Sequence, residues 1–136
     1  MIDYNVTILI PSYNRARFSK LIVHNINIQN YPSISQVIIY DDGEERCDLS
    51  GCNYPVAYVT SKVKASIGAK RNCLKSMAKT GYCCFMDTDD MYHPNYISHS
   101  MRKLYESGKS VCGTSDMLLY AGGLPYHQRC CYLDFL

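Results

Sequence analysis

No apolar run in these 136 residues approaches the roughly 18–20 residues that cross a bilayer, so no transmembrane segment is expected. Met1-Ile2-Asp3-Tyr4 has neither the basic start nor the apolar stretch of a secretory leader, and the expected location is cytoplasmic. No charge of one sign dominates. The formal net charge is +2, and the basic residues are scattered apart from small groups such as Lys62/Lys64 and Lys70/Arg71. A nucleic-acid binder gathers its cations on one face, so nucleic acid is not an expected partner. The G-x-x-x-x-G-K-[ST] loop of P-loop chemistry and the G-x-G-x-x-G dinucleotide fingerprint are both missing. No C-x-x-C occurs, and the cysteine spacings do not match zinc sites. Without a leader, a disulfide scaffold is not expected. Cys73, Cys83, Cys84 and Cys112 read instead as small buried hydrophobes, while Cys47 and Cys52 flank a loop. Repeats, linkers and low-complexity runs are absent, and the length suits a single domain over residues 1–136.

What is present is an alternation of strand and helix patterns. Val6-Thr7-Ile8-Leu9-Ile10 is continuous and β-branched, as in a strand covered on both faces, with Pro11 ending it. Residues 15–29 place Phe18, Leu21, Ile22 and Ile26 at helical spacing, and Pro32 closes the segment. Val37 to Tyr40 is a second buried strand, ending at the turn signal Asp41-Asp42-Gly43. Val56 to Val59 is a third. Ser66 caps a helix expected to run to about Thr80, with Ile67, Leu74, Met77 and Ala78 inward and Gly81 as its stop. Tyr82 to Met86 is a buried strand. Pro94 opens a helix with Ile97, Met101, Leu104 and Tyr105 on one face and Gly108 after it. Ser110 to Tyr120 reads as a further strand region. Such alternation implies crossover connections and a mainly parallel sheet, with its ligand crevice beyond the carboxyl ends of the strands.

The strand at 82–86 delivers Asp87-Thr88-Asp89-Asp90. Carboxylates crowded at a strand end repel one another, and burying them unpaired is costly. A hard divalent cation resolves that cost, because it takes oxygen ligands and commonly bridges to a phosphate. Pro11-Ser12-Tyr13-Asn14-Arg15 and Asp41-Asp42-Gly43 also follow strands, so the fold should bring all three segments to one rim.

Val6-Thr-Ile-Leu-Ile-Pro-Ser-Tyr-Asn-Arg15, Val37-Ile-Ile-Tyr-Asp-Asp-Gly43, Gly68-Ala-Lys-Arg-Asn72 and Phe85-Met-Asp-Thr-Asp-Asp90 resemble, in order and spacing, the successive motifs of family 2 glycosyltransferases of the GT-A fold. The similarity covers about residues 5–120. It implies an α/β fold, a Rossmann-like αβα sandwich with a mainly parallel central sheet. It also implies an inverting transferase that uses a UDP- or GDP-linked sugar and Mn²⁺ or Mg²⁺. In that reading Tyr13 stacks the base against a wall shaped by Pro11, with Asn14 and Arg15 beside it. Asp42, or its neighbour Asp41, accepts a base N–H. Arg71 contacts the pyrophosphate, with Lys70 a less specific alternative. Asp87, with Thr88, faces the ribose or the metal's hydration shell, and Asp89 or Asp90 ligates the metal. Acceptor, donor sugar and oligomeric state are left open.

The chain departs from the family pattern by ending early. The acceptor-binding segment, which carries the catalytic base, is expected to be short or missing. Asp116 and Asp134 are the candidate bases, and His127 a candidate late metal ligand. A non-catalytic nucleotide-sugar-binding domain that depends on a partner is therefore the competing expectation. A haloacid-dehalogenase-type phosphohydrolase fits less well, because Met91 stands where that motif has Thr or Val, and that motif follows the first strand.

Overall fold

The computed structural model describes residues 4–114, 116–121 and 124–129. Residues up to Ser98 form one compact unit and those from His99 a second. In the first, β1 (Val6–Ser12), β2 (Ile34–Asp41), β3 (Val56–Thr60) and β4 (Tyr82–Phe85) make one sheet in the order β3-β2-β1-β4. Each pairing is parallel. Parallel neighbours need crossovers, supplied by α1 (Ser19–Asn27) between β1 and β2 and α2 (Ile67–Met77) between β3 and β4. β1 is buried along its whole length, as a central strand covered on both faces must be. On one face Leu9 and Ile38 pack with Leu74 of α2. The other carries Ile8, Ile10, Val37 and Ile39, all buried, as are the helical residues Ile22, Ile26 and Ile97. α3 (Tyr96–Ser107) crosses the unit boundary. It ends at Gly108, whose φ of +64° is the left-handed stop that glycine adopts without strain. In the second unit β5 (Asp116–Ala121) and β6 (Leu124–Arg129) pair antiparallel. No helix among the described residues is long and apolar enough to cross a membrane.

Several expectations need correction. β1 does not stop at Ile10 but runs through Pro11 to Ser12. The Leu9 carbonyl accepts from Met86 N, so Leu9 turns its backbone toward β4, and Pro11, two residues on, turns the same way. β4 has ended there, and no ladder bond is lost to the missing N–H. The segment 15–29 is divided into a 3₁₀ turn, Ala16–Phe18, and α1, with Ser19 Oγ donating to Ala16 O. α2 stops at Met77 rather than Thr80, and Gly81 plays no part: Ala78 is already extended, and Thr80 Oγ1 is held 2.8 Å from Thr7 Oγ1. Ile67, expected inside, is 54% exposed, and Tyr105 is 73% exposed. Pro94 precedes α3 instead of lying in its first turn, and residues 110–114 form no strand. Among the described residues β4 is a sheet edge, in keeping with its partial burial and with the exposure of Cys83. Cys112 is exposed too, and Cys73 and Cys84 are half-buried. Among the described residues the buried thiol is Cys47, with Sγ 3.6 Å from Ser12 Oγ. Burial pushes that thiol's pKa up.

Candidate functional site

The strand order reverses between β1 and β4, and a parallel sheet opens a crevice at such a point, beyond the carboxyl ends of its strands. A cleft of about 270 Å³ lies there. Pro11, Ser12, Tyr13 and Arg15 line it from the end of β1. Asp87, Thr88 and Asp89 line it from the end of β4, and Ile67 and Arg71 from α2. A larger cavity of about 470 Å³ runs beside the outer strand β3, between loop residues Arg46 to Ser50 and Tyr58. The smaller cleft is the candidate because it lies at the carboxyl ends of β1 and β4 and gathers two arginines and two aspartates, where the larger cavity has one of each.

Its charges are already paired. Arg15 Nη1 stands 3.6 Å from Asp89 Oδ2, and Arg71 Nη2 donates to Asp87 Oδ1 at 3.2 Å. All four side chains are 36–45% exposed, so each pair is worth no more than about 1 kcal/mol. The Arg71 guanidinium also sits 5.6 Å over the Phe85 ring, and its buried Nε has no hydrogen-bond partner among the described residues. Asp90 is half-buried. Burial first, then the charges of Asp87 and Asp89, push its carboxyl above the usual carboxylate value. Hard oxygen donors on adjacent residues suit a divalent cation. Among the described residues no three carboxylate, imidazole or thiol groups are gathered about one point. The oxygen donors suit such an ion in kind, but Asp87 and Asp89 are paired to arginines.

The wall at β1 is built differently. Asn14 has a φ of +53°, a left-handed conformation that asparagine tolerates, and this turns the chain out of the strand. Its Oδ1 accepts from Glu44 N at 2.7 Å. Tyr13 is thereby left half-exposed, with Lys64 Nζ 4.1 Å and Lys70 Nζ 5.4 Å from its ring centre. Gly43 packs directly against Asn14: a Cβ there would meet the Asn14 backbone nitrogen, a contact that backbone atoms cannot relieve cheaply. Gly43→Ala is expected to cost about 1–3 kcal/mol, read as a lower denaturant midpoint.

Behind this wall lies a buried ion pair. Lys70 Nζ bonds Asp42 Oδ1 and, at 2.8 Å, Ser12 O. Asp42 Oδ2 accepts from Ala65 N at 2.6 Å. The two side chains are 6% and 0% exposed. Burial raises the Asp42 pKa, but the Lys70 ammonium and the Ala65 amide outweigh it and leave the carboxyl below its ordinary value. Asp41 is buried beside it, accepting from Gly43 N and, at 2.6 Å, from the Tyr58 hydroxyl. Burial and that bond push the Tyr58 phenol pKa well up.

Of the residues expected from sequence, Pro11, Tyr13, Arg15, Arg71, Asp87, Thr88 and Asp89 line one cleft. Asp41, Asp42 and Lys70 sit behind it, Asn14 shapes its turn, and Asp90 follows Asp89 on the acidic loop. Asp116 stands opposite Arg129 and His127 opposite Leu118 in the β5–β6 register. Asp134 lies outside the described residues. Sequence reasoning missed the residues that hold the acidic loop. Buried Asn25 of α1 donates to Asp90 O at 2.7 Å and accepts from Tyr92 N at 3.1 Å, while Asp87 N donates to the Tyr92 hydroxyl at 2.7 Å. Burial leads the influences that push the Tyr92 phenol pKa up. A signal existed: Asn25 interrupts the apolar stripe of Leu21, Ile22 and Ile26. Asn25→Ala strips two part-buried backbone groups of their partner. It should cost about 1–3 kcal/mol and speed amide exchange at Tyr92.

Comparison with known proteins gives the family and the fold. The chain is 25% identical over 119 residues to an uncharacterized glycosyltransferase of Rickettsia prowazekii, covering 86% of this chain and 36% of that protein. It is 24% identical to glycosyltransferase GlyA of Streptococcus pneumoniae, covering 78% of this chain and 16% of that one. The chain thus spans about a third or less of these relatives' length. In structure it resembles S. aureus TarS residues 1–349, with a TM-score of 0.62, 17% identity, and coverage of 75% of this chain and 32% of that one. It also resembles a mannosyltransferase of Pyrobaculum calidifontis solved with GDP-Man and Mn²⁺, with a TM-score of 0.63, 17% identity, and 74% and 32% covered. Both have the GT-A fold, and this is the α/β fold of the present chain. The family model for glycosyl transferase family 2 matches residues 7–129, and the chain belongs to that family.

Proposed function

We propose that the chain binds a nucleotide-diphosphate sugar in the β1–β4 cleft and transfers the sugar to an acceptor hydroxyl with inversion. The observation that carries this reading is the convergence of one aromatic ring, two guanidinium groups and the acidic loop on one crevice. Tyr13 offers a face for the base. Arg15 and Arg71 offer forked donors that match a diphosphate. Gly68, in the first turn of α2, leaves open space at that helix end. Asp42 and Lys70 support the base wall from behind. A divalent ion, Mn²⁺ or Mg²⁺, held by Asp89 or Asp90 with Asp87, would supply Lewis-acid stabilisation of charge on the leaving diphosphate. The acceptor hydroxyl attacks the anomeric carbon opposite the nucleotide as a general base takes its proton, a role for which Asp116 and Asp134 are the candidates. Family neighbours solved with GDP-Man and with UDP-GlcNAc support the donor class.

A second reading is a donor-binding unit whose acceptor site is supplied elsewhere: among the described residues the cleft's lining carries no carboxylate besides Asp87 and Asp89, and both are paired to arginines. Incubation with UDP- and GDP-sugars, Mn²⁺ and a panel of acceptors separates the two. Release of nucleoside diphosphate that depends on both metal and acceptor establishes transfer. Thermal stabilisation without release establishes the binding unit, and neither response contradicts both.

A further inference from the structure

We infer that Arg15 and Arg71 are exchangeable counter-ions of the acidic loop, held by Asp89 and Asp87 and passed to the diphosphate as those carboxylates pass to the cation. The inference rests on the reading above. Both pairs line the same cleft. Both are half-exposed, so breaking them costs little. A guanidinium fork and a hard cation claim the same carboxylate oxygens, and that fork fits phosphate as well as it fits carboxylate. Arg71 holds Asp87 through one terminal nitrogen. Its head rests on the Phe85 ring and its Nε is buried.

Two consequences follow. A cation arriving alone must displace arginines that then have no phosphate to take, and a diphosphate arriving alone must strip arginines from carboxylates that then have no cation. Arriving together, each removes the other's penalty. Cation and nucleotide thus strengthen one another's binding beyond their direct contact, by the same factor in both directions.

The test is calorimetric titration of the full chain with Mn²⁺ alone, UDP alone, and each in the presence of the other. The variants are Arg15→Gln and Arg71→Gln, with Arg17→Gln as the charge control. Arg17 is exposed on the same 3₁₀ turn and rests on Phe18. The expected result is that Arg15→Gln and Arg71→Gln tighten Mn²⁺ alone by about two- to fivefold, the size of an exposed ion pair. Both should also weaken UDP and shrink the mutual enhancement, while Arg17→Gln changes little. The inference is overturned if Arg15→Gln and Arg71→Gln leave Mn²⁺ affinity where Arg17→Gln leaves it, or weaken it. A wild-type chain that binds none of UDP, GDP and their sugars with Mn²⁺ is a different outcome, which removes the donor-binding reading and this inference with it.

Discussion

Lys70→Met is expected to cost the fold about 3–5 kcal/mol, because it leaves the Asp42 carboxylate buried without its cation. The Asp42 side chain has no exposure, and Lys70 is its only charged partner among the described residues. Ser12 O also loses its donor. Asp42→Asn should cost less, since the Ala65 amide keeps an oxygen acceptor while the ammonium loses its counter-charge. The double variant Lys70→Met/Asp42→Asn should recover most of the loss, as replacing a whole buried pair often does. Acid gives an independent reading. Asp42 titrates below its ordinary value, so its contribution is complete above the unfolded pKa of about 4 and is lost as pH falls through the folded value. Denaturant unfolding of the four proteins at neutral pH and in acid checks both points. Additive losses, or a gap between wild type and double variant that does not narrow in acid, would count against the pair.

The second large effect is on ligand binding. Arg71→Ala removes a charge-assisted contact worth about 1.5–3 kcal/mol, so nucleotide-sugar affinity should fall about tenfold to a hundredfold. Arg71 is half-exposed, and its main neighbours are Asp87 and Phe85, so the fold itself should change little. Asp89→Ala and Asp90→Ala should leave the domain folded and remove the Mn²⁺-dependent part of the nucleotide-sugar thermal shift. An undiminished shift in both aspartate variants would contradict the assigned metal loop.

Much of the fold was legible because its signals are local. Val6–Ile10 is apolar on both faces and became the central strand. Ser66 caps α2 by accepting from Ala69 N, and Gly108 stops α3. The motifs after β1 and β4 line one crevice, with the buried Asp41-Asp42 pair behind it, because a parallel sheet aligns its carboxyl ends. What was not legible depends on partners distant in the chain. Nothing in Asp42 or Lys70 by itself says that they bury each other 28 residues apart. Nothing in Tyr92 says that its hydroxyl accepts from Asp87 N. Cys83 looked like core because a strand's apolar run does not reveal whether it is central or at an edge. Ile67 fits the helical period but lies where α2 meets the cleft, and so stays exposed.

The central claim is that the β1–β4 crevice, and not the larger cavity beside β3, receives the sugar nucleotide. A crystal grown with UDP and Mn²⁺ tests it most directly, through the manganese anomalous peak and the density of the base. The account predicts manganese bonded to the carboxylate of Asp89 or Asp90, diphosphate beside Arg71 and the base against Tyr13. A nucleotide lodged between Arg46 and Tyr58, or manganese remote from the acidic loop, would contradict it.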